Sequence, residues 1–145
     1  MTWKFNRDAL YEMLNFTYLS HEFHNGPITG LDVWIRKSLI ATWGSEDRTI
    51  KIWNIAEKSL EVSESYGETP LSVAFHPSGF HLVVGFTDKL RLMNVFSKSI
   101  EPYKEFNIKQ CREVRFSNGG HLFAAANAAL ISVINFYTGE CPAHH

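Results

Sequence analysis

The feature that most constrains this chain is a repeat of about forty residues, written three times. Leu31-Asp32-Val33-Trp34 is echoed by Ser72-Val73-Ala74-Phe75 and by Glu113-Val114-Arg115-Phe116. Val33, Val73 and Val114 are spaced by 40 and 41 residues, and Phe75–Phe116 and Gly79–Gly120 by 41. A second block keeps step with the first. Ile50-Lys51-Ile52-Trp53-Asn54-Ile55 matches Leu90-Arg91-Leu92-Met93-Asn94-Val95 and, more loosely, Ile131-Ser132-Val133-Ile134-Asn135-Phe136. Two blocks in phase over three units imply a stack of like modules.

Each module reads as short strands. Ile50 and Ile52 flank Lys51 with the period of two that puts alternate side chains on opposite faces. Ile, Val, Trp and Phe crowd these runs, as strands prefer. Pro77-Ser78-Gly79 and Asn118-Gly119-Gly120 are turn chemistry, and Glu46-Asp47-Arg48 and Thr87-Asp88-Lys89 fall in the next turn. An Asp there accepts hydrogen bonds from nearby amides and tightens the bend. Three to four strands per repeat is the arithmetic of a β-propeller blade. Only Asp8–Leu14 has helical spacing, and Phe16-Thr17-Tyr18-Leu19-Ser20 reads as the last strand of a preceding blade. The expected fold is therefore all-β: three four-stranded blades plus one strand of another. The divisions are an unassigned segment 1–15, a strand in 16–23, blades at 24–62, 63–101 and 102–140, and a tail at 141–145.

Composition narrows the function. A hydrophobic content of 45% with 20% charged residues is that of a globular chain. The formal net charge of -1 gives no global field for nucleic acid or an anionic membrane. Lys4, Arg7, Asp8 and Glu12 interrupt any secretory leader. The uncharged run from Leu122 to Tyr137 is shorter than the roughly 20 residues of a membrane helix and contains Asn127, Ser132 and Asn135. Cys111 and Cys141 form no C-x-x-C motif and read as two unpaired thiols. His21 and His24, and His76 and His81, have spacings that zinc sites use, but no cysteine or carboxylate lies in register with them. No G-x-S-x-G elbow, P-loop or dinucleotide fingerprint occurs. No enzyme activity, metal or cofactor is expected. Arg36-Lys37 and Lys89 with Arg91 are candidates for touching an acidic protein surface, against the plainer reading of solvated turns. Trp34 and Trp43 read as core, Trp43 turned toward a neighbouring blade.

The run Ser45-Glu46-Asp47-Arg48-Thr49-Ile50-Lys51-Ile52-Trp53-Asn54 resembles the WD-repeat family, with Asn in place of the final Asp. The resemblance implies a hydrogen-bonded tetrad inside one blade, formed by His24, Asp47, Trp53 and a hydroxyl supplied by Thr42 or Ser45. The second unit keeps Asp88 but has Met93 for Trp. The third has Asn127 or Ala128 at the turn and Ile134 for Trp, so apolar packing replaces the tetrad there. Longer strings, such as Gly26-Pro27-Ile28-Thr29-Gly30-Leu31-Asp32-Val33 and Val84-Gly85-Phe86-Thr87-Asp88-Lys89-Leu90-Arg91, resemble an axonemal branch of that family. The resemblance implies a non-enzymatic scaffold of the ciliary or flagellar axoneme, linked to inner dynein arm docking or assembly. Its partners would be axonemal, dynein-arm or microtubule-associated proteins. Alternatives are a soluble cytoplasmic WD-repeat scaffold and an enzyme of propeller architecture. Three blades leave two outer faces bare, so the missing blades are expected from a parent chain or a partner, and the chain alone is expected to be marginal or aggregation-prone.

Overall fold

The structure, a computed structural model, describes residues 24–141 and 143–144. The helix expected over Asp8–Leu14 and the strand over Phe16–Ser20 lie outside them.

Among the described residues, twelve strands form three antiparallel four-stranded sheets, each a simple meander. The first holds β1 (Ile28–Trp34), β2 (Leu39–Gly44), β3 (Thr49–Asn54) and β4 (Ser59–Ser65). The second holds β5 (Pro70–Phe75), β6 (His81–Phe86), β7 (Leu90–Val95) and β8 (Ile100–Phe106). The third holds β9 (Glu113–Phe116), β10 (Leu122–Ala126), β11 (Ile131–Asn135) and the two-residue β12 (Ala143–His144). The first strands lie side by side, β1 against β5 and β5 against β9, so the sheets fan out from a common axis as partial propeller blades.

Alternation decides how the blades stack. Ala41 and Trp43 on β2, and Ile50 and Ile52 on β3, point toward the second blade and meet Val73, Phe75, Leu82, Val84, Phe86 and Met93. The other face of the second blade offers Ala74, Val83, Leu90 and Leu92 to Val114, Phe123, Ala125 and Ile134 of the third. The middle blade is thus buried on both faces, which is why β6 is nearly continuous in apolar residues.

Four details depart from the sequence reading. First, the blocks are offset by one residue in β1. Val33 pairs with Ile40, and Ile40 with Trp53, whereas Phe75–Leu82–Met93 and Phe116–Phe123–Ile134 occupy the same rungs. Val33 rather than Trp34 therefore matches Phe75, and Leu31 rather than Val33 matches Val73 and Val114. Trp34 is freed to clamp the blade junction: its Nε1 donates to Pro77 O at 2.9 Å, and its ring lies where a Cβ on Gly79 would stand, 2.4 Å away. Gly79, at φ 78, has no Cβ to lose there.

Second, the sheets do not break after residues 62 and 101. β4 runs to Ser65 and β8 to Phe106, because the fourth strand follows its ladder with the third rather than the motif spacing. Third, the segment taken as a tail supplies β12, which pairs Ala143 with Val133 and His144 with Ser132 and gives the backbone of β11 partners on its outer edge. Fourth, the outer faces are not both bare. On the first blade, Ile40 and Trp53 are buried, with Leu31, Val33, Ile55 and Leu60 packed against them. On the third, Leu122, Ala124, Ala126 and Val133 are only half-buried and Ile131 is 49% exposed.

Candidate functional site: a buried hydrogen-bond relay and the blade junctions

The residues singled out in the first repeat converge on one chain of hydrogen bonds. Trp53 Nε1 lies 3.0 Å from Thr42 Oγ1, Thr42 Oγ1 lies 2.9 Å from His24 Nε2, and His24 Nδ1 lies 2.8 Å from Asp47 Oδ2. The proton positions follow from chemistry. An indole N–H can only donate, so Thr42 accepts from Trp53. The Asp47 carboxylate can only accept, so His24 carries its proton on Nδ1 and donates it there, which leaves Nε2 of the neutral ring to accept from the Thr42 hydroxyl. Asp47 also accepts from Asn25 N–H at 3.0 Å and Thr49 N–H at 3.1 Å, which closes the β2–β3 turn. Thr42, two positions beyond Ile40 on β2, shares the face of Trp53. Ser45 sits past the end of the strand and takes no part in the relay.

A hydroxyl, an imidazole and a carboxylate in line resemble a nucleophilic triad, but this one is built as a strut. The Thr42 hydroxyl is fully buried, and one of its two lone pairs accepts from Trp53. A nucleophile needs a substrate within reach, and this oxygen is closed off from solvent.

The later blades solve the same positions differently. Val84 and Ala125 replace Thr42, and Met93 and Ile134 replace Trp53, so packing stands in for the relay. Asp88 does not join a tetrad. It takes both arms of Arg91, at 3.1 and 3.0 Å, and the guanidinium holds its carboxyl below the usual range. Arg91 continues to Glu105, as does Lys89. Lys89 and Arg91, offered by the sequence as contacts for an acidic surface, are therefore spent on internal pairs. In the third blade Asn127 holds the turn, accepting from Ala129 and Leu130 N–H at 2.9 Å. The Asn that replaces the family's final Asp does equivalent work one turn later: Asn54 Oδ1 accepts from Glu57 N–H, and Asn135 Oδ1 from Tyr137 and Thr138 N–H.

Three blade-to-blade staples escaped sequence reasoning. Trp34 reaches Pro77 as described. Asp32 Oδ2 accepts from Phe75 N–H at 2.8 Å, joining the inner edges of blades one and two, and burial pushes its carboxyl up. His76 Nδ1 accepts from Ser78 N–H at 3.1 Å, so its proton is on Nε2 and is donated to Gly120 O of the third blade at 3.1 Å. The His76 ring stacks on Phe136 at 4.3 Å between centroids. The inner strands also line a cleft of about 600 Å³, flanked by Asp32, Trp43, Arg112 and Arg115. Among the described residues no group of three or more His, Cys, Asp or Glu side chains could hold a metal ion, and no helix is long and apolar enough to cross a membrane. Cys111 is buried and Cys141 exposed, and no disulfide joins the two.

Two histidines, His24 of the relay and His76 of the staple, make stability depend on pH. Burial lowers the pKa of His24, outweighing the Asp47 hydrogen bond and charge that raise it, and burial lowers that of His76 ahead of the raising bond to Gly120. The unfolded chain, whose histidines titrate near 6.5, then binds more protons than the folded one. The histidine contribution is complete above that value and is lost as pH falls through the lower folded values. The expected result is a urea midpoint that drops between about pH 7 and pH 5, a range above that in which Asp88 and Glu105 titrate. A flat profile would mean that neither imidazole needs to be neutral. Asp32 works in the opposite sense at more acidic pH.

The fanned four-stranded meanders, with a Trp–Thr–His–Asp relay in the first, define a WD-repeat chain. The family profile described as WD domain, G-beta repeat matches residues 16–54. Over 122 residues, 84% of its length, the chain is 53% identical to cilia- and flagella-associated protein 57 A of Tetrahymena thermophila, of which this covers 9%. It is 50% identical over 122 residues to cilia- and flagella-associated protein 57 of Mus musculus, covering 84% of the chain and 10% of the relative. It is 42% identical over 137 residues to cilia- and flagella-associated protein 57 C of Tetrahymena thermophila, with 87% and 10% covered. The chain thus spans about a tenth of the length of the relatives it matches.

Proposed function

We propose that this chain is a non-catalytic WD-repeat scaffold of the ciliary or flagellar axoneme, acting in inner dynein arm docking or assembly through contacts with axonemal proteins. The observation that carries the reading is the 53% identity to a cilia- and flagella-associated protein across 84% of the chain. The burial of the relay supports a structural rather than chemical use of its polar residues. The half-buried outer face of the third blade is where a further blade, from the same polypeptide or a partner, would pack. The test is to tag the protein in a ciliated cell and fractionate detergent-extracted axonemes. Retention on axonemes, with loss of inner dynein arms when the gene is deleted, is expected. Recovery wholly in the soluble fraction would overturn the ciliary reading in favour of a soluble cytoplasmic scaffold.

A further inference from the structure

The two ends of the blades differ in how their charges are used. At the end holding the β2–β3 and β6–β7 turns, several charges are internally committed: Asp47 to His24, Asp88 to Arg91, Lys89 to Glu105, Glu68 to Thr87, and Arg48 to Gly67 O. At the opposite end, three neighbouring turns read Ile35-Arg36-Lys37-Ser38, His76-Pro77-Ser78-Gly79-Phe80 and Phe96-Ser97-Lys98-Ser99. They hold three basic side chains and no carboxylate. Arg36, Lys37 and Lys98 have no ion-pair partner among the described residues.

The same turns expose apolar side chains. Ile35 is 68% exposed, Phe80 61% and Phe96 48%. They form one patch across two blades. Trp34 lies over Gly79, Lys37 Nζ stands 5.8 Å from the Trp34 ring and 5.7 Å from the Phe80 ring, and Val95 N–H donates to Phe80 O beside Phe96. Scattered surface hydrophobics mean nothing, but a contiguous patch with a charged rim marks an interaction surface.

We propose that Ile35, Phe80 and Phe96, ringed by Arg36, Lys37 and Lys98, dock an acidic protein segment that carries aliphatic or aromatic side chains. The inference rests on the reading of the chain as an interaction scaffold and names the chemistry of one partner. Charge chooses the occupant. A second copy would set Arg36 and Lys37 against their own counterparts, and like charges across an interface count against that pairing. A polyphosphate would use the cations and leave Ile35 and the two phenylalanines in water. An acidic segment with apolar residues satisfies both halves, and Lys37, already held over two rings, is placed to meet a carboxylate beside Phe80.

The test is fluorescence anisotropy on the full chain with three labelled synthetic peptides. One alternates Glu with Leu and Phe, the second replaces Glu by Lys, and the third replaces the apolar residues by Ser. Only the first is expected to bind well, more weakly as salt rises. Arg36→Glu with Lys37→Glu, and separately Phe80→Ser, should weaken it by about tenfold or more, whereas Lys109→Glu at the other end should leave it unchanged. Circular dichroism melts check each variant. If Phe80→Ser unfolds the chain, the more exposed Ile35→Ser repeats the test. Equal binding of the Lys peptide, or binding that survives both patch variants, overturns the proposal. So does a concentration-dependent dimer abolished by Phe80→Ser, which would assign the patch to a second copy. Axonemal retention is a separate readout: a scaffold held on axonemes but blind to the acidic peptide fails here without failing the functional reading.

Discussion

Trp53→Ala is expected to lower stability by about 3–5 kcal/mol, the range for deleting a fully buried large aromatic side chain. The indole fills the space between Ile40 and its neighbours Leu31, Val33, Ile55 and Leu60. It also supplies the first proton of the relay. Two companion variants separate these parts. Thr42→Val keeps the packing and removes the two hydrogen bonds that Thr42 makes to Trp53 and His24, a loss of about 1–3 kcal/mol. Trp53→Met copies the second blade, whose Met93 packs without a relay, and should fall between the wild type and Trp53→Ala. Because Trp53 and Thr42 share one chain of bonds, their effects should not add. Urea midpoints at constant m-value measure all three. A Thr42→Val loss as large as that of Trp53→Ala would mean that the relay, not the packing, carries the blade.

The second large effect concerns a pair that changes places between blades. In blade one Gly30 on β1 sits beneath the Trp43 indole, and a Cβ on Gly30 would stand 2.1 Å from Trp43 Cζ2. In blade two the same rungs hold Ser72 and Gly85. There the Ser72 hydroxyl donates to Cys111 O at 2.9 Å, and the absence of a Cβ on Gly85 lets that backbone approach. One blade fills the space with an indole, the other with the chain entering the next blade. Gly30→Ser alone should therefore cost about 1–3 kcal/mol through overpacking. Trp43→Gly alone should cost about 3–5 kcal/mol through the cavity it opens. The double variant, which recreates the Ser–Gly pair, should cost clearly less than the two singly, since each change makes room for the other. A double-mutant cycle in urea checks this. Strict additivity would show that the Gly30–Trp43 contact is incidental.

Much of the blade was legible in the chain. The period of about forty residues with two phased blocks sets the number of modules, and alternation within Ile50–Trp53 sets which side chains share a face. The distance from Asp47 to Trp53 spans one turn and one strand, so both necessarily fall within the same blade. Thr42 and Ser45 stayed open because they lie three residues apart near the end of one strand. Only the pairing of Ile40 with Trp53 shows that Thr42 is on the indole's side and that Ser45 is beyond the ladder.

What the sequence by itself determined is local: strand period, turn chemistry, the repeat and the family its motifs resemble. These are legible because backbone geometry ties each signal to residues a few positions apart. What only the tertiary structure decided lies between blades. Asp32 bonds to Phe75 and Trp34 to Pro77 across 43 residues, and His76 to Gly120 across 44. The one-residue offset of β1, the burial of Trp53 and the gathering of Lys37, Phe80 and Phe96 at one end of the blades arise in the same way. Each depends on which modules are neighbours and at what rung they meet, and contact between distant segments leaves no period or spacing in the chain.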